Sequence, residues 1–188
     1  MGRWEPDAGG RLREAALDLY VERGYEQTTV AEIAQRAGLT ARTFFRHFAD
    51  KREVLFANSS ALRDRLVGAL AAAPLTASPM EAVAAALDAA AEILGQNHAF
   101  SSRRQGVIEA NAELRERELI KLATLADALA DGLRRRGVDE PDASLAAQAG
   151  IVVMRVAFER WVAGPGDGDL TGAMRTALDR LKTVTTTR

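Results

Sequence analysis

Four side chains in one short run, Arg42, Thr43, Arg46 and His47, can each hydrogen-bond a base edge or a phosphate. An arginine fork grips guanine O6 and N7 together, and a threonine can bond a base or touch a thymine methyl. At roughly 100° per residue counted from Ala41, the four fall on one arc of a helix. Phe44 and Phe48 project together on the other side, with Ala41 beside them, and make a stripe for burial. Phe45 lies between the two faces, where a ring is half exposed. From Arg36 to Arg52 there are five cations (Arg36, Arg42, Arg46, Lys51 and Arg52), one histidine and a single acid, Asp50. The whole chain, in contrast, is balanced at 25 Lys+Arg against 26 Asp+Glu. Two arginines on a helix are ordinarily a solvated face, paired phenylalanines are ordinarily core, and a lone histidine is ordinarily surface. The core reading fits Phe44 and Phe48. The cations crowded beside them point to phosphates and bases.

The elements that must hold these residues are punctuated clearly. Arg11 to Arg23 carries Leu12, Ala16, Leu19 and Tyr20 at helical spacing and stops at Gly24. Thr29 and Glu32 form a capping-box pattern opening a short helix with Ile33, Ala34 and Ala37 inward, closed by Gly38. Thr40 caps the next helix, Ala41 to Phe48. Two short helices joined by a turn containing glycine have helix-turn-helix spacing. The spacing alone is a weak signal, since many bundles contain it; the side chains of the second helix strengthen it. Thr29 and Lys51, each at a helix N-terminus, are placed to hold phosphates.

Asp50 to Glu53 repeats the capping-box pattern and predicts one long helix from Lys51 toward Ala73. Prolines then fence a loop at 74–79. Helices are expected over 80–96, 113–136, 143–163 and 170–184. Between them lie a polar interruption, QNHAFSSRR (96–104), the break RGVDEP (136–141) and the loop GPGDG (164–168), and TTTR forms a frayed tail.

At 188 residues, 47% hydrophobic and only 5% aromatic, the chain is rich in Ala, Leu, Arg and Glu and has neither a repeat nor a strand pattern. An all-α fold is expected, because these are strong helix formers. The absence of cysteine excludes disulfides and thiolate metal sites. MGRWEPDAGG has no apolar core of a secretory signal, and no uncharged apolar run reaches membrane-spanning length. A cytoplasmic protein without membrane contact is expected. Catalysis is not: no GxSxG, HExxH or phosphate-binding glycine loop occurs. His47 and His98 are far apart, and Glu116 and Glu118 alternate with Arg115 and Arg117 as a solvated face. No cofactor or metal is called for.

Residues 11 to 56 resemble the DNA-binding domain of TetR-family transcriptional repressors. TTVAEIAQRAGLTARTFFRHFADKREVLF carries TTVxxIAxxAG, a cap and turn, then T-F-aromatic-x-H-F. It ends in D-K-x-x-L modified to Asp50-Lys51-Arg52-Glu53-Val54-Leu55. The resemblance implies a three-helix DNA-binding domain over 1–56 and a helical ligand-binding and dimerisation domain over 57–188. It also implies a homodimer on a pseudo-palindromic double-stranded DNA operator, released by a small-molecule effector. Under it Ala41, Arg42 and Thr43 read bases, while Thr29, Phe45, Arg46, His47 and Lys51 lie along the backbone, with Thr40 at the head of the reading helix. The family most often has tyrosine where this chain has Phe45, which leaves the ring without a donor.

The same resemblance places the effector among central helices, with Leu94, His98, Phe100, Asn111, Leu122, Met154 and Phe158 as candidate lining. Taken singly, a residue of these types is more often plain core than a ligand contact. Acidic residues are scarce on those inner faces, which favours an apolar or anionic molecule over a cationic one. Leu170, Met174, Ala177, Leu178 and Leu181 form an apolar stripe that must be buried within the chain or across a dimer interface; the resemblance tips the choice to the dimer. The competing reading is a helical protein-interaction module with no DNA role, which a gel shift against the upstream DNA separates from a repressor.

Overall fold

The computed structural model describes residues 7–166 and 168–186. Among these the fold is all-α, in two compact units. The first comprises the chain up to Asn58 together with 103–118; the second comprises 59–102 and everything after 118.

In the first unit, α1 (Ala8–Arg23) buries Leu12, Ala16, Leu19 and Tyr20 on one face. It ends at Gly24, whose φ of 89° suits only a residue without a Cβ. The short helices α2 (Val30–Arg36) and α3 (Ala41–His47) come next. Both members of the expected capping box on α2 form: Glu32 N donates to Thr29 Oγ1 at 3.3 Å, and Thr29 N donates to the Glu32 carboxylate at 2.9 Å. Thr40 Oγ1 accepts from Thr43 N at 3.2 Å to cap α3. Gly38, at φ 67°, makes the turn between them. The Arg11 side chain reaches across and donates to the carbonyl of Ala37, closing the C-terminus of α2.

The long helix expected from Lys51 does not form. Asp50 accepts from the amides of Arg52 and Glu53 at 2.8 and 3.1 Å, but the chain then enters a 3-10 turn, Glu53–Phe56. Its three successive apolar side chains, Val54, Leu55 and Phe56, are all buried. A 3-10 turn fans successive side chains about 120° apart, so the burial of all three means that neighbours cover this turn on more than one side. The next helix, α4 (Ser59–Ala72), opens the second unit.

That unit continues with α5 (Pro79–Leu94), the start of α6 (His98–Ala110), most of α7 (Ala112–Arg135), α8 (Glu140–Val162) and α9 (Leu170–Thr185). The expected interruption at 96–104 shrinks to a turn, because Asn97 Oδ1 accepts from Phe100 N at 2.9 Å and starts α6 at His98. Likewise α8 begins three residues earlier than predicted, at a proline suited to a first helical turn. Thr187 and Arg188 of the expected tail, and Asp167 of the GPGDG loop, lie outside the described residues.

Leu62, Leu66 and Leu70 of α4, the alanines of α5 and the inner faces of α7, α8 and α9 form one apolar cluster. Small residues let α5 and α8 approach closely. A Cβ at Gly150 would sit 2.5 Å from Val83 Cγ1. Arg136 closes the C-terminus of α4, donating to the carbonyls of Leu70, Ala73 and Pro74 at 3.2, 2.9 and 2.6 Å.

Candidate nucleic-acid interface

Phe44 is fully buried and Phe48 nearly so, and their rings pack 5.6 Å apart against the first unit. This anchors one side of α3 and sends the other outward. Arg42, Arg46 and His47 are exposed, and Thr43 is partly so. Phe45 is 58% exposed, edge-on to Phe44, where the sequence put a half-exposed ring. Ala41 departs from expectation: it is exposed, because it stands in the first helical turn beyond the buried stripe.

The five cations of the segment divide sharply by partner. Arg36 is held by both carboxylate oxygens of Glu22, at 3.0 and 2.8 Å, which holds that carboxyl below its ordinary range and raises the guanidinium. Arg52 is clamped on Asp50 and Glu113. Lys51 Nζ donates to the carbonyls of Tyr25, Thr28 and Glu26 at 2.9, 3.2 and 3.4 Å, and lies 4.3 Å from the centre of the Tyr25 ring. Its three donors are therefore taken up inside the unit, an arrangement its sequence position at an expected helix start did not signal. Tyr20 Oη donates to the Lys51 carbonyl at 2.7 Å, fixing the residue from the other side. Burial pushes both tyrosine hydroxyls well above their usual range, so they stay protonated donors. Among the described residues, Arg42 and Arg46 have no hydrogen-bonding or ionic partner, and they share α3 with Thr43 and His47. Arg36 and Arg52, by contrast, are each paired with carboxylates.

The turn after α3 carries a pH dependence. The Asp50 carboxyl is held below its ordinary range chiefly by the hydrogen bonds from Arg52, against the opposing effect of its partial burial. A depressed carboxylate stabilises the fold above its unfolded value, near ~3.9, and that contribution is lost as pH falls through the folded value. Urea unfolding followed by circular dichroism at pH 7 and in acid is expected to show a smaller acid destabilisation in Asp50→Asn than in wild type. Glu22 and Glu32 are depressed in the same direction, so some of the dependence survives the substitution.

The residues expected to line an effector site are not all brought together. Met154 is buried in the core of the second unit, and Leu94, Leu122 and Phe158 are half-buried against it. His98 Nε2 lies 2.9 Å from the carbonyl of Trp161, and its ring meets the Trp161 ring edge-on at 4.7 Å, with Phe158 on the same tryptophan at 5.8 Å. Phe100 is half-buried near the start of α6. Asn111 belongs to the first unit, and its side chain donates to the carbonyl of Val107 at 2.7 Å at the break between α6 and α7. None of these lines an open groove of about 450 Å³ between α4 and α7, formed by Arg63, Asp64, Val67, Gly68, Ala128, Asp131 and Arg135. No cluster of three metal-binding side chains occurs among the described residues, and no described helix is long and apolar enough to cross a membrane.

The stripe assigned to a dimer interface faces its own chain. Leu170, Met174 and Leu178 are buried in the second unit's core, and Ala177 and Leu181 pack against it. The amphipathic period gave the stripe correctly but not its partner, and packing of α9 on α5 and α8 consumes it. Among the exposed large apolar residues, which also include Leu119 and Ile120 of α7 and Val184 of α9, three lie on α8: Leu145, Val152 and Val156, 69, 48 and 37% exposed. Their spacing of seven and four, visible in the sequence, places them on one face.

Comparison with known proteins defines the class. Residues 12–57 match the profile described as bacterial regulatory proteins, tetR family, and residues 77–186, more than half of the chain, match the MftR C-terminal domain. The chain belongs to the TetR family of regulators. It is 40% identical over 79 residues to the HTH-type transcriptional regulator TcmR of Streptomyces glaucescens, covering 42% of this chain and 35% of that protein. The chain thus matches under half the length of such curated relatives. Two solved structures share the fold. The SmeT–triclosan complex, SmeT being a repressor from Stenotrophomonas maltophilia, has a TM-score of 0.66 at 21% identity, over 94% of this chain and 90% of that one. FadR from Bacillus subtilis in complex with stearoyl-CoA has 0.60 at 24%, over 92% and 96%.

Proposed function

We propose that the chain is a ligand-responsive repressor that binds a pseudo-palindromic operator as a homodimer. The observation that carries this reading is the unpartnered arc of α3: Arg42 and Arg46, with Thr43 and His47 beside them, presented outward by buried Phe44 and Phe48. Two copies of α3 enter successive major grooves, about 34–36 Å apart. Ala41, Arg42 and Thr43 face base edges; Thr29, Thr40, Phe45, Arg46 and His47 run along the sugar–phosphate wall. Lys51 supports the domain from within, its ammonium being engaged by three carbonyls. The reading divides the chain functionally into DNA binding over 1–56 and effector sensing with dimerisation over 57–188, acting in the cytoplasm where the DNA is.

The dimer forms through the exposed α8 stripe of Leu145, Val152 and Val156. A two-fold interface is self-complementary, and the Arg155–Glu159 pair beside the stripe supplies both signs of charge. The effector is apolar or anionic, in keeping with the triclosan and stearoyl-CoA bound by the two structural neighbours. It releases DNA by binding more tightly to a state whose recognition helices are wrongly spaced, with a coupling of about 1–3 kcal/mol.

A gel shift against the DNA upstream of the gene tests the reading. Arg42→Ala is expected to lose about 1–3 kcal/mol of operator affinity and to relax preference at one base position per half-site. Binding selections on randomised half-sites check this. Unaltered affinity and preference in that variant would remove α3 from the reading role.

A further inference from the structure

A single carboxylate touches both ends of the helix-turn-helix. Glu113, at the start of α7, accepts from Arg52 Nη1 at 2.8 Å and from Tyr25 Oη at 3.4 Å. Tyr25 lies in the turn leading into α2, and Arg52 in the turn leaving α3. Lys51 already ties these two turns together through the Tyr25 carbonyl.

Glu113 is not an isolated contact. Arg103 meets Asp18 of α1 at 2.5 Å. Arg104 Nε donates to the carbonyl of Leu55 at 2.7 Å, with its guanidinium 5.0 Å from the centre of the Phe56 ring. Arg117 pairs with Glu53, the two side chains being 35% and 20% exposed, which shelters that pair from the screening that weakens surface pairs. Val107, Ile108 and Leu114 are buried, yet they stand outside the apolar cluster of the second unit. All these residues fall in 103–118, the stretch that the chain's own contacts assign to the DNA-binding unit.

We propose that Glu113 and Arg117 are positioning residues for DNA reading, holding the turn 50–56, and through it the end of α3, although neither touches DNA. The physical need is plain. A seven-residue helix has little stability or fixed direction of its own, and its far end is set by whatever holds the turn after it. Here that turn is held from 61 and 64 residues further along, by Arg52–Glu113 and Glu53–Arg117. The inference rests on α3 being the DNA-reading helix.

The test uses the full-length chain and a labelled fragment of its own upstream DNA. Arg117→Glu and Glu53→Arg are expected to weaken operator binding about tenfold each, and the double exchange to restore it to within about threefold. Glu113→Gln, which keeps an acceptor for Tyr25 but loses the charge facing Arg52, weakens binding by a smaller factor. Glu116→Gln, an exposed neighbour on the same helix, leaves it unchanged. Circular dichroism is expected to be the same for all of them. Single variants that bind as tightly as wild type would overturn the proposal. So would an equal loss in the singles and the double, which marks a requirement for folding alone. A wild-type chain that ignores the upstream fragment overturns the repressor reading itself, and is seen before any variant is compared.

Discussion

Val152→Glu is expected to yield a folded chain that elutes as a monomer and binds operator DNA about 10²–10⁴-fold more weakly than wild type. Val152 is 48% exposed on α8, between Leu145 and Val156 on the same face. A carboxylate there costs the single chain little, since the side chain already meets water. Across a two-fold interface it would meet its own copy, or a stripe of apolar side chains, and be stripped of solvent. The loss of affinity is larger than any single contact can supply, because two weak half-site contacts become one tight one only when linked. Light scattering and gel shifts on the same sample check both parts. A Val152→Glu dimer that still binds tightly would move the interface off this face.

Leu178→Glu is expected to do something different: the second unit fails to fold. Leu178 is only 7% exposed and lies in the core cluster with Leu170 and Met174. The substitution removes a packed leucine and places an unpaired carboxylate among alkyl groups, and the sum is at least about 4 kcal/mol, comparable to the whole stability of many domains. The sample is expected to lose helical signal and precipitate rather than run as a clean monomer. The contrast between the two variants is the informative result, because both helices are amphipathic and only their packing separates the inward stripe from the outward one. A folded, monomeric Leu178→Glu would mean that α9 turns this face to a partner after all.

These two residues also mark where the sequence stops being informative. Period identifies an apolar stripe but is silent about what covers it, so the stripe through Leu178 reads as an interface, while Val152 is not singled out at all. Local chemistry was far more legible. Thr29 with Glu32, and Thr40 ahead of Ala41, predicted caps that form with the expected atoms. The opposition of Phe44 and Phe48 to Arg42 and Arg46 came from helical geometry alone. The same capping logic at Asp50 succeeded locally and failed beyond it: the carboxylate does bind the amides of Arg52 and Glu53, but the chain then takes a 3-10 turn in place of the long helix, which no cap foretells. Lys51 was hardest, because the carbonyls that engage it belong to residues more than twenty positions earlier. Nothing in its immediate sequence distinguishes an ammonium bound for a phosphate from one bound for the protein's own backbone. Asn111 shows the same limit, since nothing in its local sequence assigns it to the first unit.

The assignment of 103–118 to the first unit has a consequence for how the protein is made. On the ribosome, the three N-terminal helices emerge long before the carboxylate and guanidinium that grip their turns. At about 5–20 residues per second, the stretch from 59 to 118 takes roughly 3–12 s to synthesise. Throughout that interval the nascent chain lacks Arg104, Glu113 and Arg117, the partners of Leu55, Arg52 and Glu53 in the finished fold. Slow codons over 59–118 would lengthen that interval, and brisk ones shorten it.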